Sequence, residues 1–352
     1  MTVRDTIVIG ASAGGVEALR RLLGGLPAAF PARVLIVLHL PATGVNTLAS
    51  VLGRSTAMTV RTATDQARLE AGVALVAPPD RHLVVVDDTC LLTRGPRENG
   101  HRPAIDVLFR SAASALGART IGVVLSGSLD DGSAGLRAIC SCGGVGVVQD
   151  PDDAQHPSMP RSAIESANPG YISTVALMPA LLRDLIGVEV PMEPGEPEEQ
   201  RESGPPVDRS KVIRTEVAIA EMQTGEFPEG AQPPGESSGL SCPDCHGVLF
   251  TIPEGDFLRY RCRVGHAWSI ESLLAEHGTA VEGALWMALR TLEEKAALCV
   301  DMSERAKASG ATITSARFAD QATDAKAAAE VIRGLLADGT GHQNLPEGTR
   351  VG

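Results

Sequence analysis

At 352 residues the chain has length for about two domains, the larger with a core of ordinary size. A formal charge of −12 excludes wholesale nucleic-acid binding, which needs clustered Lys and Arg against phosphate. No run of about 18 apolar residues and no basic-then-apolar leader is present, so the expectation is a cytoplasmic protein without membrane insertion. Seven cysteines, an odd count, argue for thiols or metal ligands rather than a disulfide framework.

Residues 1 to about 190 alternate short aliphatic runs with helical stretches: "TIVIG", "ARVLIVLHL", "GVALVAPP", "HLVVV", "RTIGVVLSG" and "GGVGVVQD". With only 3% aromatics, Val, Leu, Ile and Ala must build the interior, which suits buried parallel strands packed by helices. The pattern predicts an α/β fold with a doubly wound, mainly parallel sheet. In "GVALVAPPDRHLVVVDD" two runs lie a few turn residues apart, which predicts an antiparallel hairpin between them.

From 191 to 238 the composition shifts to Pro, Gly, Glu and Ser, with eleven acidic residues between Pro191 and Ser238 against four basic. Such a stretch reads as a linker, within which "KVIRTEVAIAEM" is expected to form a short helix or strand that docks. A compact Cys/His segment occupies 239–275 and is expected to be isolated from the first domain by that linker. A helical hairpin is predicted for 276–340, where Val281, Leu285, Ala288, Leu292 and Ala296 recur at helical spacing, followed by a flexible tail at 341–352. No internal repeat is present.

The run "TIVIGASAGGVEAL" raises a choice about Ser12. "GASAG" fits G-x-S-x-G, in which a serine on a sharp strand-to-helix turn exposes its hydroxyl in front of a helix N-terminus. A dinucleotide loop would want Gly where Ser12 stands, and an acidic residue about 20 positions on where the sequence offers His39. A plain helix cap is the third reading. A serine nucleophile needs a base oriented by a third group. His39 ends the second strand, and "VVLSGSLDDGSAG" brings Asp130 and Asp131 to the end of another, all on the carboxyl edge of a parallel sheet. Together these favour catalysis, although the order Ser, His, Asp is not that of the α/β-hydrolases.

In order and spacing, "IGASAGG", "VLHLP", "APPDRHL", "RPAIDVLFRSAA", "LSGSLDDGSAGL" and "HPSMPRSAI" resemble the catalytic domain of the CheB chemotaxis protein-glutamate methylesterases over Thr2 to about Gly187. The resemblance implies Ser12 as nucleophile, His39 as base and Asp131, rather than Asp130, as the orienting carboxylate. It also implies hydrolysis of γ-glutamyl methyl esters on the cytoplasmic helices of methyl-accepting chemoreceptors, often with glutamine deamidation, and no cofactor for catalysis. Ala13 N–H, at the helix start, and Ser128 are the expected oxyanion donors. Where the family often has Met-Gly-Asn, this chain has Ser128, Leu129 and Asp130. The family's phosphorylatable receiver domain does not precede the first strand, so regulation is expected in trans, by other chemosensory proteins, or from the C-terminal part. A catalytically silent adaptor using the same surface is the alternative function.

"SCPDCHGVLF" and "RYRCRVGHAW" place Cys242, Cys245, Cys262 and His266 at C-x2-C-x16-C-x3-H. Two short-spaced pairs of ligands separated by a hairpin suit a closed, structural zinc site. A c-type haem attachment at "CPDCH" would need export, and buried free thiols are the remaining reading. Cys90, Cys140, Cys142 and Cys299 show no such spacing and read as packing residues.

Overall fold

The aliphatic runs become strands buried on both faces, whereas Thr59–Thr62 and Tyr171–Ser173 join the same sheet as its partly exposed edges. The first four are β1 (Thr6–Ala11), β2 (Arg33–Leu38), β3 (Thr59–Thr62) and β4 (Val73–Val76). A hairpin of β5 (His82–Val86) and β6 (Thr89–Thr93) follows, and then β7 (Thr120–Val124), β8 (Val145–Gln149) and β9 (Tyr171–Ser173). In the computed structural model, which describes residues 2–43, 46–191, 209–221, 235–254 and 257–337, seven of these strands form one parallel sheet in the order β9-β8-β7-β1-β2-β4-β3. Most of the acidic stretch (192–208 and 222–234) and the tail 341–352 lie outside the described residues.

Six helices accompany the sheet: α1 (Gly15–Gly24), α2 (Leu48–Gly53), α3 (Ile105–Leu116), α4 (Ser133–Ser141), α5 (Ser158–Ala167) and α6 (Met178–Leu185). Side chains alternate along each strand. Ile7, Ile9 and Ala11 pack with Leu19, Leu22, Leu52 and Leu182 on one face, and Val8, Leu35 and Val37 pack with Leu108, Phe109, Leu136 and Met159 on the other. Each fully buried aliphatic side chain contributes about 1.5–3 kcal/mol. The strand order reverses at β1, which places a crevice outside the carboxyl ends of β1, β2 and β7, the usual ligand position in open α/β sheets.

The expected hairpin differs in its partner. β4 joins the parallel sheet beside β2, while β5 pairs with β6 across the two-residue turn at Asp87 and Asp88, in a separate small sheet. Asp87 takes φ 50°, a conformation that Asp tolerates in tight turns.

Within the acidic stretch, α7 (Arg209–Ala220) is a helix, and its Ile213, Glu216 and Ala220 are buried. Ala220 packs with Val84, Ala104 and Val107. Beyond it, β10 (Ser237–Ser241), β11 (Val248–Glu254), β12 (Phe257–Cys262) and β13 (Ala267–Ser269) form an antiparallel sheet.

This module is not isolated from the first domain. Arg259 and Arg261 of β12 are fully buried in a cluster with Glu98, Arg110 and Glu216. Arg259 reaches Glu216 at 2.8 Å and Glu98 at 3.3 Å, Arg261 reaches Glu216 at 2.7 Å and Glu98 at 3.1 Å, and Arg110 also pairs with Glu98. Three guanidiniums thus meet two carboxylates, both held below the usual carboxylate range by those cations despite their burial. Removing one member of such a cluster costs about 3–5 kcal/mol.

A compact first unit ends at Ser272 and a second begins at Leu273. The second holds α8 (Ile270–Ala308) from Leu273 onward and α9 (Thr312–Ala337), which run antiparallel, linked by Ser303 with Ser315, Cys299 with Gln321 and Glu293 with Arg333. Leu289, Ala296, Cys299, Ala322, Ala325 and Ala329 are buried, whereas Val281, expected on the apolar stripe, is 53% exposed.

Candidate active site

Ser12 directly follows β1. Its N–H donates to Ser126 O at 3.0 Å, and Gly14, at φ 72°, turns the chain into α1. His39 follows β2 and its N–H donates to Ala11 O at 3.2 Å, so the two strand ends are tied together. Asp131 lies on the turn between β7 and α4 and is 1% exposed.

The structure brings these three into one line. His39 Nδ1 lies 3.0 Å from Ser12 Oγ, and His39 Nε2 lies 2.7 Å from Asp131 Oδ2. Nδ1 thus serves the serine and Nε2 the carboxylate, the reverse of the arrangement in which the carboxylate holds Nδ1. Leaving β2 at Leu38, the chain presents Nδ1 to the neighbouring β1 end and Nε2 to the more distant β7 turn. Burial works against the charge of Asp131, yet its bond to His39 and a backbone N–H hold it well below the usual carboxylate range. An ionised Asp131 fixes the proton on Nε2, which leaves Nδ1 free to accept from Ser12 Oγ–H.

Asp131 is held by more than His39. Ile105 N–H donates to Oδ2 at 2.7 Å, and Asn99 Nδ2 and Asp106 N–H donate to Oδ1 at 3.0 and 3.3 Å. Two of these donors open α3, whose N-terminus favours an anion. Asp106 in turn accepts from Gly132 and Gly135 N–H at 3.0 and 2.6 Å, and burial with the adjacent Asp131 charge pushes its carboxyl up to about 8. Asp130 points away and accepts from the Ser269 and Ser272 hydroxyls at 2.7 and 2.9 Å, with burial pushing it up to about 6.

His101, which sequence reasoning missed, stacks on His39 with ring centroids 3.6 Å apart and planes 14° from parallel. Burial, reinforced by His39, lowers it to about 4, so it is neutral at pH 7. Asn99 was missed as well. Both sit on the turn Glu98–His101, where Asn99 and Gly100 take φ 51° and 75°, as a type I′ turn requires. The Asn-Gly pair in "RENGH" was the available signal, although nothing local ties it to Ser12.

Of the expected oxyanion donors, Ala13 N–H has no partner among the described residues and stands at the start of α1. Ser128 is exposed in the turn after β7. Its neighbour Gly127 abuts the serine: a Cβ there would lie 2.9 Å from Ser12 Cβ and 2.6 Å from Met159 Sδ, so the close approach requires glycine.

Cys242, Cys245, Cys262 and His266 place their ligand atoms within 4.8 Å of one another. Cys245 and Cys262 sulfurs are 3.5 Å apart, and His266 Nδ1 lies 3.7 and 3.6 Å from the sulfurs of Cys242 and Cys262. Tetrahedral zinc with its normal bond lengths needs about 3.8 Å between sulfurs and about 3.6 Å from sulfur to nitrogen, so the donor set fits that ion.

A serine, a histidine and a carboxylate in relay at the carboxyl edge of a parallel sheet are the arrangement of a serine hydrolase. Residues 7–182 match the family model for CheB methylesterase, and the chain belongs to that family. It is 38% identical over 169 residues to a putative protein-glutamate methylesterase/protein-glutamine glutaminase of Leptospira interrogans, covering 48% of this chain and 88% of that protein. With protein-glutamate methylesterase/protein-glutamine glutaminase 2 of Xanthomonas oryzae it shares 42% over 166 residues, 46% of each chain. The crystal structure of the Thermotoga maritima CheB methylesterase catalytic domain superposes with a TM-score of 0.50 at 30% identity, covering 52% of this chain and 98% of that one. Among the described residues no helix is long and apolar enough to cross a membrane.

Proposed function

We propose that this chain demethylates γ-glutamyl methyl esters on the cytoplasmic helices of chemoreceptors, with Ser12 as nucleophile, His39 as general base and acid, and Asp131 as the orienting carboxylate. The observation that carries this reading is the unbroken line from Ser12 Oγ to His39 Nδ1 and from His39 Nε2 to Asp131 Oδ2, at 3.0 and 2.7 Å, in a chain of the CheB family.

In this scheme Ser12 Oγ attacks the ester carbonyl as His39 Nδ1 takes its proton, and the imidazolium is steadied by Asp131 across Nε2–H. His39 then gives the proton to departing methanol, and water releases the acyl group by the same relay. Ala13 N–H, with Ser128, is assigned to the developing oxyanion. A glutamine side chain would pass through the same acyl-enzyme with ammonia leaving, and the relatives' names pair the two activities. Ser12, His39 and Asp131 suffice for both half-reactions, so zinc at the Cys/His site is assigned a structural role.

The test is methanol release from methylated receptor and from a small glutamyl methyl ester by the full chain and by Ser12→Ala. The variant should lose turnover at least a thousandfold while keeping its unfolding transition. Near-wild-type turnover by Ser12→Ala would remove the nucleophile assignment.

A further inference from the structure

The Cys/His module ends beside the triad. Immediately after the ligand His266, β13 runs along the Asn99 turn: Asn99 N–H donates to Ala267 O at 2.8 Å, and Ala267 N–H donates to Arg97 O at 3.2 Å. Ser269 N–H then donates to Asn99 Oδ1 at 2.9 Å. With its oxygen engaged from the module, the Asn99 amide turns Nδ2 to the two carboxylates behind it, Asp131 Oδ1 at 3.0 Å and Asp106 Oδ2 at 3.4 Å, and the bond from Ser269 holds it in that position. The same turn carries His101 against the face of His39. A second tie runs in parallel, since Ser269 Oγ caps the start of α8 by accepting Ser272 N–H at 3.0 Å and donates its own proton to Asp130, the neighbour of Asp131. Behind these contacts, Arg259 and Arg261 lock β12 onto Glu98, the first residue of the turn.

We infer that the Cys/His module is a built-in positioning element of the esterase: Asn99, aligned by Ser269 of the module, orients Asp131, and metal occupancy at Cys242, Cys245, Cys262 and His266 thereby sets kcat. This rests on the triad reading above and adds a second determinant to it. Asn99 and Ser269 are both buried, so they act through Asp131 as positioning residues. Losing the Asn99 bond leaves Asp131 Oδ1 with only the 3.3 Å contact from Asp106 N–H. The turn also loses the strand that fixes the stack of His101 on His39.

The test uses the full chain, a small glutamyl methyl ester, and a chelator with metal release quantified. Beside turnover, the downfield proton resonance of the His39–Asp131 hydrogen bond is followed, a readout that needs no catalysis. Metal removal should lower kcat about 10–100-fold, leave KM within about twofold, and abolish the resonance, with one equivalent of zinc restoring both. Asn99→Ala should start lower by a similar factor and lose less than about threefold more on chelation, because both changes act on the same link. Confirmed metal release that leaves kcat and the resonance unchanged overturns the proposal, and so does a full further 10–100-fold loss in Asn99→Ala. A holoprotein inert towards methyl esters whose resonance still disappears with the metal supports the positioning role and overturns the esterase reading instead.

Discussion

Replacing Asp131 with Asn keeps the shape of the side chain and changes its hydrogen-bonding sense. The carboxylate collects four N–H donors: His39 Nε2 and Ile105 N–H on Oδ2, Asn99 Nδ2 and Asp106 N–H on Oδ1. An amide offers one acceptor and one NH2 group, so two donors must confront it. With NH2 in the Oδ2 position, His39 is driven to the Nδ1–H tautomer, and Ser12 then faces a donor instead of a base, which costs about 10⁴-fold in kcat, or about 5.4 kcal/mol. With NH2 in the Oδ1 position the tautomer survives, but the group meets Asn99 Nδ2 at 3.0 Å, and Asn99 cannot flip because its oxygen holds Ser269 N–H. That orientation leaves a buried donor unpaired, at about 1–3 kcal/mol, and still removes the charge that steadies the imidazolium. The expected loss in kcat for Asp131→Asn is therefore about 10³–10⁴-fold, measured as methanol release from a small glutamyl methyl ester at saturation. A loss below tenfold, in a variant that unfolds like the wild type, would show that Asp131 does not orient His39.

Asp130→Asn should lower kcat by less than about threefold, because an amide oxygen can still accept both serine hydroxyls, whereas Asp130→Ala loses both bonds and should lower the unfolding midpoint. His101→Phe keeps a stacking ring without a titrating group. Because His101 is held near 4 in the folded chain against 6.5 when unfolded, the unfolded state takes up one more proton between these values, so wild-type stability falls as pH drops from 6.5 towards 4. Relative to His101→Phe, the wild type should lose up to about 3 kcal/mol over that window in denaturant titrations, and parallel stability curves would contradict a buried neutral His101.

The sheet and the relay were legible because each signal is local. An aliphatic run buried on both faces identifies its own strand, and parallel connection then sends the ends of β1, β2 and β7 to one edge, taking Ser12, His39 and Asp131 with them. The use of His39 by its opposite nitrogen was not legible, since it depends on ring rotation rather than on sequence position. Nor could Asn99 and His101 be found: their contacts need a turn closed by a strand about 170 residues downstream. The docked module was hidden for a related reason. The acidic composition of 192–208 and 222–234 describes those residues alone, while Arg259 and Arg261 are buried because Glu98 and Glu216 come from elsewhere to neutralise them. The hairpin error was one of choice among neighbours, since β5 had an apolar run on either side and paired with the one across the shorter turn.

The buried charge cluster also bears on how the chain is made. About 80 residues separate the end of the parallel sheet's domain from Ser272, so at 5–20 residues per second the first domain emerges from the ribosome about 4–16 s before β12 and β13. During that interval Glu98, Asn99 and Asp130 lack the partners that those strands will supply, and each is a group that water can satisfy in the meantime.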